Sequence, residues 1–284
     1  MTVKDKVFVI TGAASGIGLA TARLAAERGA RVVLSDVDDA AGEVAASELA
    51  DAYGSATYVH CDVSDEAQVQ ELMDSAANAF GGIDVLHNNA GIHEAMISTE
   101  YAFETMPVEV FDRVLSVNLR GAFLCSQKAV PYLKVSERGP SIVNAGSTAS
   151  FVGYPYGLAY GSSKGAITLL TKNLAVALAR YGVRVNCYCP ASVDTGMVRD
   201  VSASIGALVG GNVAAAEAAG STNPNEAQLA AHLVRRIGDP VDIAELVCFL
   251  ASDAASFVNG AVWLIDGGVL AWRDTVEALG IGTA

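Results

Sequence analysis

Positive charge is scarce in this sequence. Its 284 residues include 18 lysines and arginines against 31 aspartates and glutamates, which gives a formal net charge of -13 at pH 7. A surface of this kind repels phosphate backbones and anionic headgroups, and no run of basic residues offsets the effect. We therefore predict that the protein binds neither nucleic acid nor membranes.

Long hydrophobic runs are absent as well. No apolar run reaches the roughly 20 residues that a membrane-spanning helix needs. Residues 1–6 lead directly into a strand-like run rather than into a secretory signal. Both observations favour a cytoplasmic location.

Cysteines are few, and the sequence contains five of them. They are scattered along the chain, and none stands at metal-ligand spacing from a histidine, so we predict no metal site. This usage indicates small buried thiols in a reducing compartment. Because Cys187 and Cys189 alternate along a probable strand, we expect their side chains to face opposite sides and not to form a disulfide.

Apolar side chains, in contrast, are abundant. Hydrophobic residues make up 52% of the sequence and charged residues 17%, so the chain can bury a large core and is not disordered. Short apolar strands alternate with helical segments through the first third of the chain. This βαβαβ pattern predicts a parallel sheet covered by helices on both faces, with ligands bound at the carboxyl ends of the strands.

A glycine-rich turn follows the first strand. Residues 11–18 read TGAASGIG and lie between the strand Lys6 to Ile10 and a helix from Leu19 to Glu27. Gly12 permits a tight turn, whereas Gly16 and Gly18 let a ligand and the sheet come close. The helix N-terminus would then offer N–H groups and a positive dipole to a pyrophosphate. The alternative is a plain glycine turn.

Asp36 ends the second strand, 18 residues beyond Gly18. This is about the spacing at which an acidic residue accepts hydrogen bonds from an adenosine ribose, and its charge would repel a 2′-phosphate. Neither the glycine turn nor residues 37–39 contain lysine or arginine. We therefore predict that the cofactor is NAD rather than NADP, although Asp36 could instead cap the next helix.

Tyr160 and Lys164 stand four residues apart at the start of a predicted helix, so they share one face of it. An ammonium beside a phenol stabilises the phenolate and lowers the tyrosine pKa, which makes a proton donor and acceptor usable near neutral pH. A surface contact is the simpler interpretation of such a pair. Ser147 ends another strand 13 residues earlier, where a serine is most often a helix cap.

The ordered set of motifs resembles the short-chain dehydrogenase/reductase family over residues 3–270. The motifs that carry the resemblance are the glycine turn, Asn88-Asn89-Ala90-Gly91, Asn118, Ser147, Tyr160-x-x-x-Lys164, Pro190 and Asp266-Gly267-Gly268. It implies one α/β Rossmann-type domain (residues 1–270), a doubly wound three-layer sandwich with a parallel sheet of about seven strands. It also implies nicotinamide-dependent oxidation or reduction and a homotetramer or homodimer.

The resemblance also implies roles for individual residues. Tyr160 is the general acid/base, Ser147 binds the substrate oxygen, Lys164 binds the nicotinamide ribose and tunes Tyr160, and Asn118 interrupts a helix and holds a water for proton relay. Asn118 could equally be a buried hydrogen-bonding residue. The residues expected to bind NAD are Gly12, Ser15, Gly16, Ile17, Gly18, Asp36, Val37, Asp62, Val63, Asn89, Ala90, Gly91, Tyr160, Lys164, Pro190, Val193 and Thr195.

Three departures from the family pattern stand out. Pro190 is followed by Ala191 where the family usually has glycine, the segment from Gly91 to Asn118 is longer, and residues 269–284 extend past the usual end. A segment at about 196–232, rich in small residues, is expected to form a lid over the substrate; a surface insertion is the alternative. Residues 271–284 form a C-terminal tail that we expect to pack on a neighbouring copy.

The expected substrate is a small-molecule secondary alcohol, dihydrodiol or ketone, because the candidate pocket residues are largely apolar. They are His93, Ala149, Phe151, Val152, Tyr154, Tyr156 and Met197. His93 has a simpler interpretation as an exposed loop residue. We expect His60 and His87 to be structural and His232 to be exposed. Two rival functions remain, a 3-oxoacyl-carrier-protein reductase-like enzyme and a non-catalytic NAD-binding regulator.

Overall fold

One sheet of seven parallel strands organises the part of the chain that this computed structural model describes, residues 2–100, 103–153, 156–209 and 232–271. The strand order is β3-β2-β1-β4-β5-β6-β7. The strands are β1 (Val7–Thr11), β2 (Arg31–Asp36), β3 (Ala56–His60), β4 (Val85–Asn88), β5 (Ser141–Ala145), β6 (Arg184–Pro190) and β7 (Val262–Ile265). The predicted doubly wound parallel sheet is therefore confirmed.

Helices connect successive strands. They are α1 (Gly16–Glu27), α2 (Asp39–Tyr53), α3 (Glu66–Phe80), α4 (Val108–Leu115), α5 (Ala122–Leu133), α6 (Leu158–Leu178), α7 (Gly196–Val209) and α8 (Pro240–Ala251). A π-helical turn, Ser116–Gly121, joins α4 to α5, and short 3₁₀ turns occur at Glu94–Met96, Thr148–Ser150, Ala179–Tyr181 and Asp253–Ala255. The predicted first strand is shifted by one residue at each end, and the predicted first helix starts three residues late but ends correctly at Glu27.

Both faces of the sheet are covered, which explains why its strands are nearly continuous apolar runs. In β1, Phe8 and Ile10 pack with α1, α2 and α8, whereas Val9 packs on the opposite face with α3, α5 and α6. All three side chains are fully buried. This alternation places helices in two outer layers and leaves the loops at the carboxyl ends of the strands free to build a site.

The direction of winding reverses between β1 and β4, which are neighbours in the sheet although two strands separate them in sequence. The turns that follow these two strands therefore diverge and leave a crevice at the carboxyl edge. In open α/β sheets this reversal point is where ligands bind. Here it brings the turn after Thr11 and the turn after Asn88 together.

Two sequence predictions about buried residues were wrong. Cys187 and Cys189 lie on the same side of β6, with Sγ atoms 3.9 Å apart, because side chains alternate with a period of two and positions i and i+2 share a face. All five cysteines are free and buried. His232, expected to be exposed, is 3% exposed because its ring packs over Gly267.

Candidate active site

The turns after β1 and β4 touch so closely that only glycine suits two positions. A Cβ atom on Gly12 would lie 2.8 Å from Ala90 Cα, and one on Gly18 would lie 2.1 Å from the Gly12 carbonyl oxygen. Gly12 also has φ +65°, a conformation that favours glycine. Ser15 precedes α1 without capping it through its side chain, so the N–H groups of the first turn face the crevice without a side-chain acceptor from that residue.

Asp36 lies at the end of β2 against this glycine turn. Its Oδ2 atom accepts a hydrogen bond from Ala14 N–H at 3.0 Å, and its Oδ1 atom accepts from Val37 N–H at 2.8 Å. The helix cap that sequence left open as its role belongs instead to Asp38, whose carboxylate accepts from Ala41 N–H at the start of α2. The Asp36 carboxylate is thus held rigidly at one end of the crevice.

A buried hydrogen-bonded chain holds the two turns in register. Asn89 donates from Nδ2 to the carbonyl oxygens of Thr11 and Gly12, at 3.0 and 2.9 Å. The Tyr188 hydroxyl donates to Asn89 Oδ1 at 3.2 Å and lies 3.0 Å from His87 Nε2, which is therefore the protonated nitrogen of that ring. Burial lowers the pKa of His87 to about 3, so the imidazole stays neutral. His87 is structural, as its sequence position predicts.

The crevice opens into a cavity of about 400 Å³. Fifteen of the predicted NAD-binding residues line it: Gly12, Ser15, Gly16, Ile17, Asp36, Val37, Asp62, Val63, Asn89, Ala90, Gly91, Tyr160, Lys164, Pro190 and Thr195. Gly18 and Val193 are absent from the lining. Gly18 instead lets α1 approach the Gly12 turn, and Val193 is buried and pairs with Gly238.

Helix α6 presents Tyr160 and Lys164 on the same wall of this cavity. Lys164 is 5% exposed, and its Nζ atom donates to the Ala145 carbonyl oxygen at 2.8 Å and lies 5.5 Å from the centre of the Tyr160 ring. Burial lowers the pKa of Lys164 to about 8. Since an ammonium has three protons, this hydrogen bond accounts for only one of them and the cavity can accommodate an acceptor for another.

Ser147 follows β5 and lies beside the first turns of α6. Its Oγ atom accepts from Ala149 N–H at 3.1 Å, so it does cap the short turn Thr148–Ser150. That turn packs against α6 where the helix lacks side chains: Cβ atoms on Gly161 and Gly165 would lie 3.5 and 3.9 Å from its carbonyl oxygens. The serine is 8% exposed and is not part of the cavity lining.

Asn118 lies in the π-helical turn between α4 and α5, which is the helix interruption that the family resemblance implies. Its Oδ1 atom accepts from Ile92 N–H at 2.8 Å, and its Nδ2 atom donates to Ile92 O at 2.9 Å and to Ser163 Oγ at 3.0 Å. Gly91 runs close to both Asn118 and Lys164, since a Cβ there would lie 3.3 Å from Oδ1 and 3.5 Å from Nζ. Asn118 therefore ties the turn after β4 to α6.

His93 and Glu94 are buried, so the expectation of an exposed loop at His93 was wrong. The chain turns inward after Ile92, and the two side chains are 4% and 0% exposed. The His93 ring lies 4.8 Å from the Tyr160 ring at an angle of 31°. The Glu94 carboxylate accepts from the N–H groups of Ala159 and Tyr160. Sequence offered no signal for these contacts.

The other predicted substrate residues are spread out. Met197, on α7, lines the cavity, and Ala149 lies in the turn next to α6. Phe151, Val152 and Tyr156 are between 42% and 49% exposed and do not line it. Tyr154 lies outside the described residues, as do residues 210–231 of the expected lid and residues 272–284 of the tail. The described part of the segment expected to form the lid is α7, which packs beside the turn Glu94–Met96.

Sequence reasoning missed several lining residues, of which Arg113 and Tyr188 are the most informative. Arg113 donates to Asp62 Oδ2 at 3.1 Å and to Ser64 Oγ at 2.9 Å. Burial raises the pKa of Asp62, but hydrogen bonds from Ser64 and Arg113 outweigh this and lower it overall. Tyr188 could have been found, because it stands two residues before Pro190 on β6 and so shares its face.

Comparisons with known proteins agree with this geometry. A family model described as enoyl-(acyl carrier protein) reductase matches residues 12–270. The chain is 40% identical over 267 residues to cis-4-hydroxycyclohexanecarboxylate dehydrogenase of Sinomonas cyclohexanicum, covering 94% of this chain and 97% of that protein. It is 37% identical over 276 residues to 2-(S)-hydroxypropyl-CoM dehydrogenase 3 of Xanthobacter autotrophicus, covering 95% and 98%.

Solved structures give the same result. The crystal structure of levodione reductase superimposes with a TM-score of 0.81 and 34% sequence identity, covering 95% of this chain and 99% of that one. Both the sequence matches and this structural match extend over nearly the whole chain. The protein therefore belongs to the short-chain dehydrogenase/reductase family, whose members are oxidoreductases that use a nicotinamide cofactor.

Proposed function

We propose that this protein is an NAD-dependent oxidoreductase that interconverts a secondary alcohol, or a dihydrodiol, and the corresponding ketone, with Tyr160 as general acid/base. One observation carries the proposal: a buried lysine lies beneath the Tyr160 ring on the wall of a cavity whose other end holds the fixed carboxylate of Asp36. The first feature is suited to proton transfer and the second to binding an adenosine ribose.

The cavity residues suit a dinucleotide. The glycine turn leaves room that any Cβ would fill, and the start of α1 directs N–H groups into it, which is what a pyrophosphate requires. Asp36 would accept hydrogen bonds from the adenosine ribose, and Lys164 would donate to the nicotinamide ribose. A bound nicotinamide supplies the hydride acceptor or donor for the reaction.

The residues of α6 and the turn after β5 handle the proton. In alcohol oxidation the Tyr160 phenolate accepts the hydroxyl proton, and in ketone reduction the phenol donates it. The Lys164 ammonium stabilises the phenolate. Ser147 donates a hydrogen bond to the substrate oxygen and fixes its position. Asn118 supports a water relay that returns the proton to solvent. Proton transfer of this kind contributes about 10²- to 10⁴-fold to the rate.

The geometry of the charges supports NAD over NADP. The cavity lining has two cationic side chains within the described residues, Arg113 and Lys164, and Arg113 is paired with Asp62. Neither lies on β2 or on the turn that follows it. A 2′-phosphate would therefore meet the Asp36 carboxylate without a compensating cation from this stretch of chain.

The apolar side chains of the cavity lining support the proposed substrate class. Ile92, Met96, Val117 and Met197 are among them. A ring-shaped or similarly bulky secondary alcohol or ketone suits such a wall, whereas a sugar would need more hydrogen-bonding groups. The similarity to a hydroxycyclohexanecarboxylate dehydrogenase supports an alicyclic substrate.

An enzyme like the 3-oxoacyl-carrier-protein reductases is the second candidate, because the matching family model is described in terms of an acyl carrier protein. Docking an acidic carrier calls for basic residues, and the net charge of -13 opposes it. A non-catalytic NAD-binding regulator needs the dinucleotide crevice but not Ser147, Tyr160 and Lys164 together, so the full set favours an enzyme.

The exposed apolar residues support a homotetramer. Leu169 and Val176 form a stripe on the outer face of α6, and Phe123 is exposed on α5. At the edge of the sheet, Trp263 and Leu264 are also exposed on β7. Two separate apolar surfaces can build two kinds of dimer contact, which together give a tetramer. Light scattering after size exclusion tests this, and Val176→Lys should reduce the tetramer to dimers.

Five free, buried cysteines support a reducing location, and we propose the cytoplasm. Within the part of the chain that the structure describes, no helix has the length and apolar character of a membrane span.

We also propose that α7 begins a lid over the substrate, because Gly196, Met197 and Asp200 line the cavity from that side.

A substrate panel tests the proposed function. Purified protein is incubated with alicyclic, aromatic and linear secondary alcohols and with NAD or NADP, and NADH formation is followed by absorbance; ketones with NADH and a carrier-bound 3-oxoacyl substrate complete the panel. We expect turnover of an alicyclic alcohol or ketone with NAD(H). Turnover of only the carrier-bound substrate would favour the second candidate, and NAD binding without any turnover would favour the regulator.

A further inference from the structure

We propose that Glu94 is a positioning residue for Tyr160: from the turn after β4, its carboxylate caps the start of α6 and fixes the helical turn that carries the tyrosine. The inference rests on the proposed role of Tyr160 in proton transfer. It assigns a function to a side chain that no motif in the sequence singles out.

The two oxygens of the Glu94 carboxylate accept hydrogen bonds from successive backbone N–H groups of α6. Its Oε1 atom accepts from Ala159 N–H at 2.8 Å, and its Oε2 atom accepts from Tyr160 N–H at 3.0 Å. These N–H groups belong to the first turn of a helix, where no carbonyl oxygen of the helix can reach them. Gly157, the residue before the helix, has no side chain with which to cap it. The cap therefore comes from 65 residues earlier in the chain.

Glu94 is fully buried, and an ionised carboxylate in such a place is costly unless its oxygens are satisfied. Two N–H donors and the positive end of the dipole of a 21-residue helix provide that compensation. His93 Nδ1 lies 3.6 Å from Glu94 Oε2. Where other helices have a side-chain cap, in α2, α3 and α8, it comes from the residue immediately before the helix, whereas the carboxylate on the first amides of α6 comes from a distant turn.

The same turn holds Tyr160 at other points. The His93 ring packs against the Tyr160 ring, and His93 Nδ1 accepts from Ala95 N–H at 3.1 Å, which fixes the imidazole. Two residues before Glu94, the backbone of Ile92 is clamped from both sides by Asn118, which also reaches Ser163 on α6. Tyr160 is thus held through its backbone by Glu94 and through its ring by His93, on a turn that is itself anchored.

This arrangement predicts a particular kinetic effect. The hydrogen bonds of Glu94 go to α6 and not to the glycine turn or Asp36, so its loss should leave cofactor binding intact while displacing the phenol. Displacements of about 1 Å at a reacting group cost on the order of 100-fold in rate. We therefore expect a loss in kcat without a matching rise in the KM for the cofactor.

Glu94→Gln tests the inference, because the amide keeps the length and shape but offers one acceptor where the carboxylate offers two. With a substrate found in the panel, kcat should fall about 10- to 100-fold, while the KM for NAD and the Kd for NADH stay within twofold. The matched control is Asp65→Ala, which removes the carboxylate whose Oδ1 atom accepts from both Ala67 N–H and Gln68 N–H at the start of α3. The control should lower Tm but keep kcat at saturating cofactor.

A kcat of Glu94→Gln within twofold of wild type would overturn the inference, as would a parallel loss of NADH binding and kcat. If the variant does not fold, hydrogen exchange of the wild-type protein decides: the amides of Ala159 and Tyr160 should be protected, whereas first-turn amides of α1, which lack a side-chain cap, should exchange rapidly. Equal exchange would contradict the cap. If Tyr160→Phe keeps full activity, the proposed function is wrong. If Tyr160→Phe loses activity but Glu94→Gln keeps it, only the positioning role of Glu94 is wrong.

Discussion

The Nζ atom of Lys164 lies 5.5 Å from the centre of the Tyr160 ring and is held there by the carbonyl oxygen of Ala145. The lysine is nearly inaccessible to solvent, so its charge is stabilised by few groups, and burial lowers its pKa to about 8 from the ordinary value of 10.5. The ammonium that would stabilise a phenolate is therefore itself close to losing its proton in the absence of a ligand. Ribose hydroxyls that accept from Nζ would restore the charged state.

Cofactor affinity should consequently depend on pH. The charged form of Lys164 is the one expected to donate to the ribose, and at a pH of about 8 only half of the lysine carries the charge. The Kd for NADH should be constant well below that pH and should rise above it, by at most tenfold per pH unit, because binding then requires uptake of a proton. Titration of NADH fluorescence between pH 6.5 and 10 measures this.

Two variants show whether the pH dependence of NADH binding comes from Lys164 or from another lysine. Lys164→Met should bind NADH more weakly with no pH dependence, whereas Lys128→Met, which removes a lysine paired with Glu66 outside the cavity, should behave like wild type. A wild-type Kd that stays flat to pH 10 would contradict the assignment of Lys164 to the ribose.

Asp36 should decide between NAD and NADP. Replacing it by asparagine keeps the shape and removes the charge that a 2′-phosphate would meet. Unit charges about 5 Å apart near a protein surface interact by about 1–3 kcal/mol, so kcat/KM for NADP should rise about 10- to 100-fold, while kcat/KM for NAD falls. Steady-state kinetics with both cofactors measure the ratio.

Asp38→Asn is the matched control for Asp36. It removes one negative charge two residues away, and asparagine can still cap α2 in place of the carboxylate that binds Ala41 N–H. The NAD to NADP preference of this control should change by less than threefold. Equal gains in NADP use by both variants would indicate a general charge effect and not a selector at Asp36.

The thiols of Cys187 and Cys189 on β6 pack against Gly146, the residue before Ser147. A Cβ atom on Gly146 would lie 2.5 Å from Cys189 Sγ and 2.9 Å from Cys187 Sγ. Gly146→Ala should therefore cost about 1–3 kcal/mol of stability through overpacking and should lower kcat as Ser147 is displaced. Removing one sulfur should make room, so Cys189→Ala should rescue part of both losses.

A double-mutant cycle on Gly146→Ala and Cys189→Ala measures that rescue. Urea unfolding of the four proteins should give a favourable coupling of about 1 kcal/mol or more, since the two changes share one space. Strictly additive free energies of unfolding would mean that the turn before Ser147 can move away from β6 without strain.

Local patterns were sufficient to predict the sheet and the crevice. The apolar runs of β1, β2 and β5 and the glycine turn are encoded within a few residues each, and Asp36 is placed by the length of one βαβ unit. Tyr160 and Lys164 share a face because helix geometry requires it. The exposed positions of Phe151 and Tyr156 could not be read in this way, because they depend on how the turn after β5 packs on α6.

The burial of His93 and Glu94 shows where sequence reasoning ends. A charged residue after an Asn-Ala-Gly turn is most simply interpreted as exposed, and its partners lie 65 residues further along the chain. Only the three-dimensional path of the turn, held by Asn118, brings the carboxylate to the start of α6. The error over Cys187 and Cys189 was of another kind, since the period of a strand already places both on one face.

The most direct test of the proposed function is the turnover of Tyr160→Phe, followed by NADH absorbance with a substrate identified in the panel. Phenylalanine keeps the ring that packs on His93 and removes only the hydroxyl, so NADH should still bind with a Kd within threefold of wild type. Tyr181→Phe, a change beyond the far end of the same helix, is the control. We predict a loss of kcat of about 10²- to 10⁴-fold for Tyr160→Phe and none for Tyr181→Phe. A Tyr160→Phe protein that turns over within twofold of wild type would contradict the account.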